Sequence, residues 1–310
     1  MIRALRRILA IALAAWLFVG WFGTFRYVDG YVVYRGFPPP ETPAGVPAGT
    51  VQTFRFFSPA LGHESRALVY LPPGYARAVA RGRRFGVMYL LHGSPGVAAN
   101  IFDAGAVARD ANVLLHRRRI APLLLVAPFG AGADMEWADG RSGPYEHYLL
   151  DAVHAVDARF ATVAGRAHRV IAGDSEGAFG AANVALRNLG VFGGFQSWSG
   201  YFVEQGTGTF ARASRAVLDA NSPLVYAPRL ARPIRRNGLH ALLYDGNQDG
   251  GGALQMWRFA AELRAAGARV DSAVYPGGHD WGLWRRQMPH ALVLASHWMS
   301  SGTRVHGRSR

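Results

Sequence analysis

The chain has 310 residues, half of them hydrophobic and 17% charged, which supplies a core for one large α/β domain plus an appendage. Its formal charge of +14 comes from arginine with no lysine, scattered in short runs such as Arg3/Arg6/Arg7, Arg81/Arg83/Arg84 and Arg117/Arg118/Arg119; a nucleic-acid footprint would cluster on one face among aromatics, so anionic lipid headgroups are the better partner and nucleic acid is not expected. Cysteine is absent, which excludes a thiol nucleophile, a disulfide framework and thiolate metal sites.

Residues 1–7 carry Arg3, Arg6 and Arg7, and residues 8–25 form 18 consecutive residues without a charge. That length is at the short end of a transmembrane helix. A cleavable signal would have a shorter apolar region ending in a small-x-small site. Here Trp16, Phe18, Trp21, Phe22 and Phe25 suit a membrane interface instead, so a signal anchor is favoured over a cleaved signal peptide. The preceding arginines would keep the N-terminus in the cytoplasm and place the rest outside. Residues 26–50 include Phe37-Pro38-Pro39-Pro40 and Pro43 to Pro47, a proline-rich linker that cannot pack as a regular element.

From residue 51 to 300, apolar runs alternate with helical stretches, the pattern of a mainly parallel sheet with helices on both faces. Predicted strands cover Val51–Phe57, Arg66–Leu71, Phe85–Leu91, Leu123–Ala127, Val170–Ala172, Phe192–Trp198, Ala241–Tyr244 and Val270–Tyr275. Predicted helices cover Glu146–Phe160, Ala178–Leu186, Ala253–Ala266 and His290–Met299, and residues 301–310 form a polar tail.

Between the fifth of these strands and the following helix stands Gly173-Asp174-Ser175-Glu176-Gly177. A serine framed by glycines at a strand-to-helix corner is a nucleophile elbow: the turn is too tight for side chains two positions either side. The following amide sits at a helix N-terminus, where it can stabilise an oxyanion. A serine needs a base, and the base needs an orienting acid, in the chain order Ser, Asp or Glu, His. His279 fits the base, because it lies in the loop Pro276-Gly277-Gly278-His279-Asp280 directly after the last predicted strand. His290 and His297 fall on a helix and His306 in the tail. The acid falls within Asp245-Gly246-Asn247-Gln248-Asp249, where both Asp249 and Asp245 are candidates. The second oxyanion amide should come from the loop His92-Gly93-Ser94-Pro95; proline has no N–H, which favours Ser94 beside Glu176. His92 reads as a structural support at a strand end.

Three segments together carry a family resemblance: Leu90-Leu91-His92-Gly93, the elbow at Ser175, and Gly277-Gly278-His279-Asp280-Trp281 followed by Trp284-Arg285. They resemble the esterase family of α/β-hydrolases that includes esterase D (S-formylglutathione hydrolase), enterobactin esterases, feruloyl esterases and mycobacterial mycolyltransferases. The resemblance spans about residues 51 to 300. It implies an α/β-hydrolase fold, a triad of Ser175, Asp249 and His279, oxyanion amides at Ser94 and Glu176, and a preference for Asp249 over Asp245. One departure is Glu176-Gly177-Ala178, where members often carry Met-Gly-Gly; a carboxylate beside the oxyanion hole would oppose negative charge there unless turned away or paired. Trp281 and Trp284 are candidates for lining the substrate pocket, with core packing as the alternative.

The resulting expectation is a membrane-anchored, extracytoplasmic serine esterase acting on a small-molecule or lipid ester, with no metal or cofactor. Two alternatives remain open: a cell-envelope acyltransferase with the same triad, and a non-catalytic binding protein that keeps the fold.

Overall fold

The computed structural model describes residues 2–27, 40–130 and 134–301. Residues 28–39 of the expected proline-rich linker and the tail from residue 302, with His306, lie outside the described residues. The helix Ile2–Tyr27 includes a 20-residue stretch, Arg6–Phe25, that is long and apolar enough to cross a membrane. None of that stretch is buried against the rest of the protein, so its side chains, Trp16 and Trp21 included, are exposed. Thr42 and Gly49 both hydrogen-bond to the Asn112 side chain, so the end of the expected linker lies against the folded region.

Among the described residues ten strands form: β1 (Thr50–Ser58), β2 (His63–Leu71), β3 (Gly86–Leu91), β4 (Leu123–Pro128), β5 (Asp139–Gly140), β6 (Gly143–Pro144), β7 (Arg169–Asp174), β8 (Gly194–Trp198), β9 (His240–Gly246) and β10 (Arg269–Tyr275). All but the small β5–β6 hairpin belong to one eight-stranded sheet in the order β1-β2-β4-β3-β7-β8-β9-β10. β1 and β2 pair antiparallel, as do β2 and β4, and every other neighbour in the sheet is parallel. Side chains alternate along each strand, so the sheet buries a core on each face. Val87, Tyr89 and Leu91 of β3 point into one core, beneath helices Tyr145–Arg159, Glu176–Arg187 and Gly252–Ala265. Met88 and Leu90 point into the other, beneath Val107–His116 and the final helix. Parallel strands covered on both faces are near-continuously apolar, which is why the sheet was legible.

Two parts differ from expectation. The final helix runs Trp281–Ser301, not His290–Met299. Asp280 starts it: its Oδ1 accepts the Leu283 amide, an N-cap that pulls Trp281 and Trp284 onto the first turn. Pro289 sits inside the helix, and a proline there reads in sequence as a boundary. The second difference is the stretch between β8 and β9, which holds three short helices, Arg215–Ala220, Pro223–Tyr226 and Ala231–Asn237. Helices this short have no periodicity long enough to read.

Candidate active site

The parallel strands all end at the same edge of the sheet, and the loops leaving that edge build the site. Ser175 follows β7 with φ 53 and ψ −117, a left-handed conformation that lifts its side chain out of the turn. A Cβ on Gly177 would stand 2.2 Å from the Leu91 carbonyl oxygen, and one on Gly173 would stand 2.4 Å from the Gly177 backbone. Glycine at both places is therefore a packing requirement. Loops after β9 and β10 supply the other two groups. His279 Nε2 lies 2.8 Å from Ser175 Oγ, and its Nδ1 lies 2.8 Å and 3.0 Å from the two carboxylate oxygens of Asp249.

This arrangement separates the two candidate acids. Asp249 faces the imidazole, whereas Asp245 is buried at the end of β9, where one of its oxygens accepts the Gly246 amide. Burial, the adjoining Asp249 carboxylate and a hydrogen bond to it push the Asp245 carboxyl up to about 7. Asp245 thus holds its proton more tightly than an ordinary aspartate, and Asp249 is the readier of the two to carry the charge. Burial acts to raise Asp249 as well, but hydrogen bonds from His279, Asp245 and Ser199 outweigh it and hold Asp249 below its ordinary value. For His279 burial favours the neutral ring. The hydrogen bond and charge of Asp249, with Asp174 and Asp245 behind it, overcome this and raise its pKa.

Ser199, at the end of β8, was not singled out in the sequence. Its hydroxyl accepts from Trp284 Nε1 at 3.1 Å, and its side chain is among the neighbours that hold Asp249 below its ordinary value. Trp284 packs edge-on against His279, with ring centroids 5.2 Å apart. One hydrogen-bonded chain therefore runs from Asp249 through His279 to Ser175, and the Trp284–Ser199 pair packs beside it. The signal for Ser199 was its position, the first residue past a buried strand at the loop edge.

On the opposite side of Ser175 the Gly93 amide donates to Asp174 Oδ2 at 3.1 Å, tying the loop after β3 to the elbow. The Gly93 and Ser175 amides are engaged with Asp174 and the Trp198 carbonyl. Among the described residues the Ser94 and Glu176 amides make no backbone hydrogen bond, so both are free to meet an oxyanion. His92 is buried; desolvation holds its pKa down, its Nδ1 faces the Gly93 carbonyl, and its ring meets Trp137 edge-on. It supports the loop.

Glu176 does not pair with an arginine. Its carboxylate accepts the Glu136 amide, and burial leads the causes that raise its pKa. It points into a cavity of about 350 Å³ whose walls include Ser175, Ser94, Glu136, Tyr201 and Glu204. A second cleft, of about 190 Å³, lies on the other side of Ser175 against His279, Trp281 and Trp284. Both tryptophans are largely buried and also line this cleft, so the packing and pocket readings both describe them. His290 and His297 are exposed on the final helix, and His240 stacks on Trp298, all away from Ser175.

A mainly parallel sheet sandwiched by helices, with a glycine-framed serine elbow and a histidine loop after the last strand, defines the α/β-hydrolase class. The chain belongs to the esterase family: the family model described as "Putative esterase" matches residues 58–294. It is 29% identical over 164 residues to an endo-1,4-beta-xylanase/feruloyl esterase of Xylanibacter ruminicola, which covers 51% of this chain and 23% of that protein. The chain thus spans less than a quarter of this curated relative. Among solved structures, a ferulic acid esterase matches with a TM-score of 0.71 at 21% identity, covering 81% of this chain and 99% of that one. An S-formylglutathione hydrolase from Agrobacterium tumefaciens matches at 0.67 and 17%, covering 85% and 100%. MPT51 of Mycobacterium tuberculosis matches at 0.60 and 18%, covering 80% and 100%. Identities this low speak for the fold alone.

Proposed function

We propose that the protein is a serine esterase that hydrolyses carboxylic esters through an acyl-enzyme, with Ser175 as nucleophile, His279 as base and Asp249 as orienting acid. The observation that carries this reading is the continuous hydrogen-bonded chain from Ser175 through His279 to Asp249 at a strained elbow. His279 takes the Ser175 proton as Oγ bonds to the ester carbonyl carbon. The Ser94 and Glu176 amides hold the oxyanion. As the carbon–oxygen bond to the alcohol breaks, His279 passes the proton to the departing oxygen. Water, deprotonated by the same histidine, then attacks the acyl-enzyme and releases the acid and free Ser175.

Residues 1–7 form the cytoplasmic tail in this reading, residues 8–25 the membrane anchor, residues 26–50 the spacer and residues 51–300 the catalytic domain outside the cytoplasm. Support comes from the exposed apolar helix and the arginines before it. Protease added to intact cells should degrade the catalytic region while leaving a tag on the N-terminus; the reverse pattern overturns the orientation.

A second reading keeps the acyl-enzyme and replaces water with an alcohol. Clefts on both sides of Ser175 favour it, since one can hold the acyl group while the other admits an acceptor. The full chain in detergent micelles, given p-nitrophenyl esters, tests both. Hydrolysis that falls about a millionfold, to background, in Ser175→Ala supports the mechanism. Fluorophosphonate labelling of Ser175 without turnover, relieved by an added alcohol, points to transfer. No turnover and no labelling sinks both readings.

A further inference from the structure

The cavity beside Ser175 is acidic in an arginine-rich protein. Asp134, Glu136, Glu176 and Glu204 contribute to its wall, and among the described residues no basic one lines it although the chain carries 34. Glu136 and Glu204 are only 4% and 6% exposed. Glu204 has no hydrogen-bond partner on either carboxylate oxygen; the Gln205 amide approaches it without reaching hydrogen-bond geometry. Glu136 has an unpartnered Oε2, and the Tyr201 side chain beside it acts to lower its pKa. Buried carboxylates that line a cavity and have no partners incur a desolvation cost that a bound cation would offset. Among the described residues no group of three carboxylates or histidines is arranged to hold a metal ion. An organic cation is the remaining fit, and the Tyr201 ring, stacked on Phe179 at 4.8 Å, adds an aromatic wall of the kind that attracts one.

The two clefts also divide the substrate. His279 must deliver a proton to the departing alcohol, and His279 lines the tryptophan cleft and not the acidic cavity. The alcohol therefore leaves along Trp281 and Trp284, and the acyl chain lies in the acidic cavity next to Ser94 and Glu176.

We propose that the acidic cavity is an acyl-group site selective for esters whose acid carries a cationic ammonium group, held by Glu136 and Glu204. This specificity rests on Ser175 acting as the nucleophile. It also accounts for the departure at Glu176, whose carboxylate completes the acidic wall. Burial, with the Glu176 charge behind it, pushes Glu204 up to about 7; burial, with the charges of Glu204 and Glu176 behind it, pushes Glu136 up to about 8. The selectivity therefore strengthens with pH as these two groups, flanked by Asp134, Glu176 and Tyr201, lose their protons.

The test compares two p-nitrophenyl esters on the full chain: that of γ-(trimethylammonio)butyrate, and its isostere in which carbon replaces the quaternary nitrogen. Their kcat/KM ratio is divided by the ratio of their hydroxide-catalysed rates. The permanent charge keeps substrate titration out of the comparison, and His279 acts on both esters alike. The expected ratio favours the cation by about tenfold or more near pH 8, the scale of a desolvated contact between a quaternary ammonium and an aromatic ring. It should rise through the range of about 7 to about 8 set by the two glutamates. In Glu136→Gln/Glu204→Gln the ratio should collapse toward one, with fluorophosphonate labelling of Ser175 reporting that the site is intact. A wild-type ratio at or below one at every pH, with the neutral ester turned over, overturns the cation site and leaves the esterase reading standing. Failure to cleave either ester, with no labelling of Ser175, overturns both.

Discussion

The two sides of Ser175 are built on opposite rules. On the tryptophan side, Asp249 and His279 pass hydrogen bonds to Ser175 while Trp284, bonded to Ser199, packs on the imidazole, so the geometry is set before any substrate arrives. On the acidic side, Glu136 and Glu204 present carboxylate oxygens with no partner. Catalytic groups gain from being preorganised, because reorganisation then costs nothing at the moment of reaction. A recognition cavity instead keeps its polar groups available for the ligand. The contrast predicts that damage on the first side shows in kcat, and damage on the second in discrimination between substrates.

Breaking the organised side at its acid should have the largest effect. Asp249→Asn removes the charge that raises His279 and favours the wrong tautomer, so kcat should fall about 10⁴-fold. Wild-type kcat/KM should rise with pH as His279 loses its proton, with a midpoint above the ordinary histidine value. A midpoint at or below that value would contradict the reading of Asp249 as its partner.

Ser199→Ala is the next step down. It takes from Asp249 a neighbour that holds its pKa down and leaves Trp284 Nε1 without its acceptor, so kcat should drop about tenfold with KM little changed, the scale of one hydrogen bond to a charged group. Steady-state kinetics on a neutral ester checks it, and a change confined to KM would place Ser199 in substrate binding instead.

Asp245 sharpens the distinction between acid and support. Because Asp245 holds its proton tightly beside Asp249, Asp245→Asn can stand in for the protonated acid and should keep kcat within about threefold, whereas Asp245→Ala should lose about tenfold. Equal losses in the two variants would mean that the charge of Asp245, and not its hydrogen bond, is what matters.

On the acidic side the smallest effect concerns stability. Burial raises the folded pKa of Glu204 from the ordinary glutamate value to about 7, so the native state retains a proton that the unfolded chain has lost. Between those values stability falls as pH rises. Glu204→Gln removes this contribution, so thermal midpoints of wild type and variant should diverge in favour of the variant from about pH 5 to pH 8. Melting curves that stay parallel across that range would show that Glu204 is not desolvated in solution.

Much of this architecture was legible because it is written locally. The glycines around Ser175 serve a turn closed within five residues, and the apolar runs of β3, β4 and β7 announce strands buried on both faces. The loop after β10 places His279 by chain order alone. What the residues themselves left open was the choice between Asp245 and Asp249. Both follow the same strand, and only the packing of the β9 and β10 loops turns one toward the imidazole and buries the other. The helix cap at Asp280 was hidden by Pro289, which reads as a boundary until the turns around it are seen to continue.

By itself, then, the sequence determined the class of fold, the elbow with its serine and the histidine loop, because glycine sterics and strand periodicity act over a few residues. Tertiary structure alone decided which aspartate meets His279, that Ser199 packs beside the chain, and that glutamates from three separate segments share one cavity. Electrostatic environment depends on distance in space and on exclusion of water, and neither is encoded at any single position.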